Sequence, residues 1–587
     1  MTRLERLARQ HGITTEYDHG PVPAATLAAI LRALGVEPES EPVRSAAAPA
    51  HAAVAAQCHL PDWLDRPAWG MFCQLYELRS DRQWGIGDFA DLAALARTCG
   101  AAGADFLGIN PVHALFTADP GKCSPFSPSS RVALNPLYIA PDALGAERPD
   151  LSDGELIDYG AVARAKLSAL RAVFDAGTDA GFARFAGEAG PDLTRHALFE
   201  AASHHLSGAY GASWSGWPEA WRDPGSAEVR AFAGDHEADV RFHLWLQYVA
   251  RGQLAEAQAA ATGAGMRLGL YLDLAVGEDP GGSATWGVAA GRGHTLPGLT
   301  VGAPPDVFAA EGQGWGLAAP SPSALRETDY APFRTMIEAQ LKDAGALRID
   351  HAMALRQLFL IPEGARPLEG AHLAYPMAEL VEALAQASRA NEAVVIGEDL
   401  GWVPDGFRDE MAEARILSYR IMIFEQSKAG FRAPQDYPEL ALACLSTHDL
   451  PILSAWWAGE DIDLRETHGL VSQGDSVAHR AHRDWERRAM LDALSDAGLM
   501  ARPDPVPERM PEALPEALHR FVARTPSVLT ALRLADAVGP EMQTNVPGTT
   551  DAHPNWRVRG TVPVADIPDH PVFRALTRAL AEERPKR

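Results

Sequence analysis

The stretch VVIGEDLG at 394–401 runs apolar and β-branched until it meets an acid, and ALRIDHA at 346–352 and LSTHDLP at 445–451 repeat the pattern. Each run is short and continuous rather than alternating, which is how a parallel strand buried on both faces reads. Each acid stands where the run stops. In a (β/α)8 barrel the residues at the C-terminal ends of the strands share one opening. An α/β fold of that kind, a TIM barrel, brings Asp350, Glu398 and Asp449 together.

Working outward, barrel strands are expected over 72–78, 105–110, 267–274, 345–350, 393–398, 416–423, 441–447 and 528–534. The second and third are separated by far more chain than a βα unit needs. The barrel therefore carries large, mostly helical insertions, at about 113–265 and again at about 452–525. Trp214, Trp217, Trp221 and Trp245 in the first read as its aromatic core. His196, His204 and His205 lack the neighbouring ligands of a metal site. Before the barrel, Leu27, Ile30, Leu31 and Leu34 recur at helical spacing between Pro23 and Gly35, and a second helix begins near Leu4. The Pro- and Ala-rich stretch 37–56 reads as a linker. The organisation expected is a small helical N-terminal region with linker over 1–60, packed against a catalytic barrel over 61–587.

Composition narrows the partners. With 77 acidic against 52 basic residues the formal charge is −25, which disfavours nucleic acid and anionic membranes. No run approaches the roughly 18 to 20 apolar residues of a membrane span. Cys58, Cys73, Cys99, Cys123 and Cys444 are odd in number and widely spaced, with no CxxC pair. This predicts a reducing, cytoplasmic setting.

Three carboxylates at strand ends suit glycosidic bond chemistry. An oxocarbenium-like transition state calls for a nucleophile, a protonated acid and nearby negative charge. Arg348 lies two residues before Asp350 and so on the same face of that strand, where a guanidinium orients the carboxylate and keeps it ionised. Asp399, beside Glu398, points to the other face of the strand or starts the following loop, and reads as structural.

The same segments, with YELRSDRQWGIGDFADL at 76–92, INPVHALF at 109–116, SPFSPSSR at 124–131, LGLYLDLAVG at 268–277, VGAPPDVFAAEGQGWG at 301–316 and NVPGTTDAHPNW at 545–556, occur in order. From about residue 65 onward the chain resembles 4-α-glucanotransferases of the amylomaltase type, relatives of the α-amylases. The resemblance implies Asp350 as nucleophile, Glu398 as general acid and base, and Asp449 as the carboxylate that holds substrate hydroxyls and stabilises the distorted ring. Neighbouring negative charge should raise the pKa of Glu398. By the same resemblance Asp273 and His448 contact the sugar at the cleavage site, and Trp315, in a loop with Gln313, lines the cleft. One position departs from the family pattern: Phe126 stands where SPY has tyrosine, keeping a stacking ring and losing a hydroxyl.

The reaction implied is transfer of α-1,4-glucan segments between maltooligosaccharides, with glucose among the acceptors, through a covalent glycosyl-Asp intermediate. An α-amylase-like retaining hydrolase would use the same carboxylates with water as acceptor. A non-catalytic glucan-binding protein on the same fold would be expected to lack one of them. Acid, base and nucleophile all come from side chains, so neither a cofactor nor a metal is expected.

Overall fold

Eight short runs rich in Val, Ile, Leu and Ala pair in parallel and close into a barrel. They are β1 (Ala68–Cys73), β2 (Phe106–Ile109), β3 (Gly269–Leu274), β4 (Ala346–Ile349), β5 (Val394–Gly397), β6 (Leu417–Ile421), β7 (Ala441–Cys444) and β8 (Leu529–Arg533). Each pairs with its neighbours in sequence, and β8 closes onto β1. The computed structural model describes residues 1–18, 20–42, 53–151, 153–288, 293–305 and 311–586. Residues 43–52 of the expected linker and 306–310 of the VGAPPDVFAAEGQGWG segment lie outside the described residues.

Inside the barrel, small residues make room for rings. A Cβ on Gly70 would sit 2.5 Å from the ring of Phe106, and one on Gly108 would sit 2.7 Å from that of Tyr271. Interdigitation of this kind fills a barrel interior with side chains, so it is a packed core and not a pore. Register then sets the level of the polar groups. Arg348 pairs with Asp273 on one side and Ile396 on the other, and Ile349 pairs with Gly397. Asp350 and Glu398 therefore leave adjacent strands one residue later, at the same height.

The first strand lies earlier than expected, at Ala68–Cys73 rather than 72–78. The apolar run continues, but Asn110 accepts the Leu75 backbone N–H at 2.7 Å and the chain turns into a short 3₁₀ helix, Leu75–Glu77. Between β6 and β7 the connection carries a small hairpin that pairs Gln426–Ser427 with Gly430–Phe431 and no α-helix among the described residues.

Between β2 and β3, after a short antiparallel pair of His113–Ala114 with Ser130–Leu134, the chain is mostly helical. Its last helix, Glu237–Gly263, packs along Phe89–Ala101, the helix that joins β1 to β2. Trp217 is buried against Phe199 and Trp286, and Trp245 packs with Phe174 and Phe242. After β7 come Leu453–Ala458, Glu460–Thr467 and Gln473–Asp496, followed by Leu514–Ala523, which packs on the C-terminal helix Pro571–Glu583.

Not every insertion is helical. Thr295–Ala303 and Gln313–Pro320, between β3 and β4, join Gln357–Pro362 and Ala371–Ala374, between β4 and β5, in one antiparallel sheet. Of the N-terminal helices, Ala24–Ala33 docks on this sheet and Arg3–Gln10 packs on Ala24–Ala33. The edge strand Ala371–Ala374 offers unpaired backbone groups that need partners. The N-terminal segment supplies them: Thr14 donates to the carbonyl of His372 and Ala374 donates to that of Gly12, both at 2.9 Å.

Candidate active site

Asp273, at the end of β3, and Arg348, near the end of β4, are level by register, and the guanidinium donates to Asp273 Oδ1 at 2.6 Å. The other arm of Arg348 lies 3.0 Å from Asp350 Oδ1. A cation this buried is costly unless paired, and here two carboxylates hold it, so its pKa is raised well above the usual arginine value. Beneath it the ring of Tyr419 lies 5.3 Å from the guanidinium carbon, a cation–π contact.

Glu398 is buried beside this network. Its carboxylate accepts the backbone N–H of His351 at 2.8 Å and that of Leu400 at 2.7 Å. His351 follows Asp350 directly and adopts a left-handed backbone, φ 49°, which turns its N–H toward the acid. Burial pushes Glu398 up to about 7; Arg348 opposes the shift and the charge of Asp350 adds to it. The expected rise is present, with desolvation rather than like charge as its largest cause. Burial likewise raises Asp273, against the pull of Arg348.

Asp449 lies in the connection that follows β7. Its Oδ1 accepts from Asn545 Nδ2 at 2.6 Å and lies 3.4 Å from His448 Nε2. Burial lowers the pKa of His448, whose ring also feels the charges of Asp449, Arg348 and Asp350. Phe126 lies flat over that ring, centroids 4.9 Å apart and planes 19° from parallel, with Trp556 5.4 Å away on a tilt. The SPFSPSSR segment is pinned above β3, where Arg131 donates to the carbonyls of Ala275 and Val276, each at 3.0 Å.

Gln313 and Trp315 lie on a strand of the antiparallel sheet, not in a loop. The indole N–H of Trp315 donates to Gln313 at 3.2 Å, and its ring meets His351 nearly edge-on at 5.1 Å. Asp399, on the opposite face, accepts from Arg408, Ser418 and the Tyr419 backbone and stays out of the opening. Asn545, Trp556, His351 and Tyr419 are site neighbours to which sequence reasoning assigned no role. Asn545 and Trp556 open and close the NVPGTTDAHPNW segment, which was the signal available for them. Among the described residues no group of three His, Cys, Asp or Glu is placed to hold a metal ion, and no helix is long and apolar enough to cross a membrane.

A family model described as 4-alpha-glucanotransferase matches residues 73–563. The chain belongs to this family. Curated 4-alpha-glucanotransferases include that of Mycobacterium tuberculosis (strain ATCC 25618 / H37Rv), 37% identical over 546 residues, covering 86% of this chain and 73% of the relative. That of Haemophilus influenzae is 32% identical over 539 residues, covering 86% and 77%. Among solved structures, amylomaltase from Corynebacterium glutamicum superposes with a TM-score of 0.83 at 27% identity, over 98% of this chain and 99% of that one. Amylomaltase from Streptococcus agalactiae, solved in complex with acarbose, shares the fold with a TM-score of 0.69 at 20% identity, over 88% and 99%. As a 4-α-glucanotransferase, this chain acts on α-1,4-glucans.

Proposed function

We propose that the enzyme disproportionates maltooligosaccharides by double displacement at the ends of β4, β5 and β7. Asp350 attacks the anomeric carbon while Glu398, kept protonated by its burial, gives its proton to the departing glycosidic oxygen. The reducing-end fragment leaves, and the donor remains joined to Asp350 as an ester. Glu398, now ionised, takes the proton of an acceptor 4-hydroxyl, which displaces the aspartate and restores the α-linkage. Maltooligosaccharides and glucose serve as acceptors.

The observation that carries this reading is the Arg348 bridge between Asp273 and Asp350. It holds Asp350 in one orientation and stabilises its ionised form, while Glu398 one strand away stays neutral until the leaving group needs its proton. Asp449, whose carboxylate accepts from Asn545, holds sugar hydroxyls and faces the developing cation in this reading. Phe126 and Trp315 supply ring faces for glucose. Five free, buried cysteines support a reducing, cytoplasmic setting.

Incubation with maltotriose tests the reaction. Glucose should appear together with maltopentaose and longer chains while the number of reducing ends stays nearly constant. A steady rise in reducing ends with no product longer than the substrate would identify a hydrolase instead.

A further inference from the structure

Trp402 follows Glu398 by four residues, so their Cα atoms are at most about 15 Å apart, and its side chain is 49% exposed. Single exposed apolar residues are ordinary on protein surfaces. What distinguishes this one is how it is held. The indole stacks on His372, centroids 4.8 Å apart and planes 25° from parallel. His372 is buried, its Nδ1 lies 2.7 Å from the Tyr17 hydroxyl, its backbone N–H donates to the same hydroxyl at 2.8 Å, and its ring meets Phe359 edge-on. Burial lowers His372 to about 3, so the ring behind the indole is uncharged. One face of Trp402 is thus anchored, while much of the side chain stands in solvent at the catalytic end of the barrel. Phe424, 38% exposed, occupies the connection that follows β6. The two therefore present aromatic surface on consecutive strand-end loops.

We propose that Trp402 is a stacking subsite for an α-1,4-glucan, engaging a glucose ring beyond those held at the cleavage site; this rests on the glucanotransferase reading above. The C–H face of a glucose ring is apolar and flat enough to lie on an indole, and a ring fixed in advance loses little freedom when it is covered. A chain must fill the cleavage site and still span the distance to Trp402 before it gains this contact, so the subsite favours longer substrates. Tyr17 is a positioning residue: through His372 it ties the N-terminal region to the rim of the active site.

The test compares kcat/KM for maltoheptaose with kcat/KM for maltotriose. In Trp402→Ala the ratio of the two should fall about tenfold, the scale of one aromatic stacking contact. Trp402→Phe should recover most of it, and Tyr17→Phe should show a smaller fall in the same ratio. Calorimetry on the Asp350→Asn protein should find maltoheptaose bound about tenfold more weakly once Trp402→Ala is added. An unchanged ratio, including one in which both values fall together because Trp402 merely props the wall, would overturn the subsite. So would unchanged calorimetric affinity in a variant that melts like its parent. Absence of long products from maltotriose with the unmodified enzyme would count against the glucanotransferase reading itself, and the calorimetry would still decide the subsite.

Discussion

The side-chain amide of Asn545 donates to Asp449 at 2.6 Å, joining the connection after β8 to the end of β7 across 96 residues of sequence. Asp449 is 42% exposed at its side chain, so without this bond its carboxylate could turn into solvent. Asn545→Ala should therefore lower kcat/KM by about ten- to a hundredfold, the range for a hydrogen bond to a charged group. The melting temperature should move little. Steady-state kinetics beside a thermal melt check this, and near-parental kinetics would show that Asp449 needs no such support.

Asp350→Asn should lose several orders of magnitude in turnover and still bind maltooligosaccharide, because the fold and the ring faces remain. Activity measurements and calorimetry on the same preparation decide it. A variant above about a tenth of parental activity would remove Asp350 from the nucleophile's role.

Glu398 has two separable consequences. As the acid it must be protonated, so kcat/KM on natural glucans should fall as pH rises through about 7. Glu398→Gln should be nearly inactive on glucans but recover its glycosylation step with α-glucosyl fluoride, whose leaving group needs no proton. No recovery with the fluoride would argue that another residue is the acid.

Stability gives an independent reading of the same group. A carboxyl whose folded pKa of about 7 exceeds its unfolded value of about 4.3 binds more protons folded than unfolded across that window. It opposes folding progressively as pH rises from the lower value through the higher. Glu398→Gln should therefore melt above the parent at pH 8, with the advantage fading as pH falls toward 4. Asp273, raised by the same burial, is present in both proteins and cancels. A pH-independent difference between the melts would show that Glu398 is not held neutral.

Phe126 covers the His448 ring at 4.9 Å. Phe126→Tyr should fit with little strain and return a hydroxyl to the sugar, worth about 0.5 to 1.5 kcal/mol. The result should be a several-fold gain in donor affinity or in transfer over hydrolysis. Phe126→Ala should weaken both by removing the ring and freeing His448. Equal kinetics for Ala, Phe and Tyr would place residue 126 outside the cleft.

Much of the barrel could be read along the chain because burial on both faces leaves a local mark, a short apolar run ending in an acid. Two-residue periodicity alone placed Arg348 and Asp350 on one face. The start of β1 was misread where a tertiary contact overrode the local pattern: Asn110 reaches back to Leu75 and turns an apolar run that reads as strand.

Sequence by itself determined which residue types stand at the strand ends, and so the class of chemistry, because strand burial and side-chain alternation are properties of neighbouring residues. Only the tertiary structure decided what those residues meet. The partner of Asp449 comes from beyond β8, and Trp315 stands on a strand whose Gly-rich sequence reads as a loop. The N-terminal helix Ala24–Ala33 settles on a sheet whose segments span nearly 80 residues of sequence. Such pairings are set by which backbone groups and ring faces remain unsatisfied once the barrel has closed, and nothing in the local pattern of either partner records that.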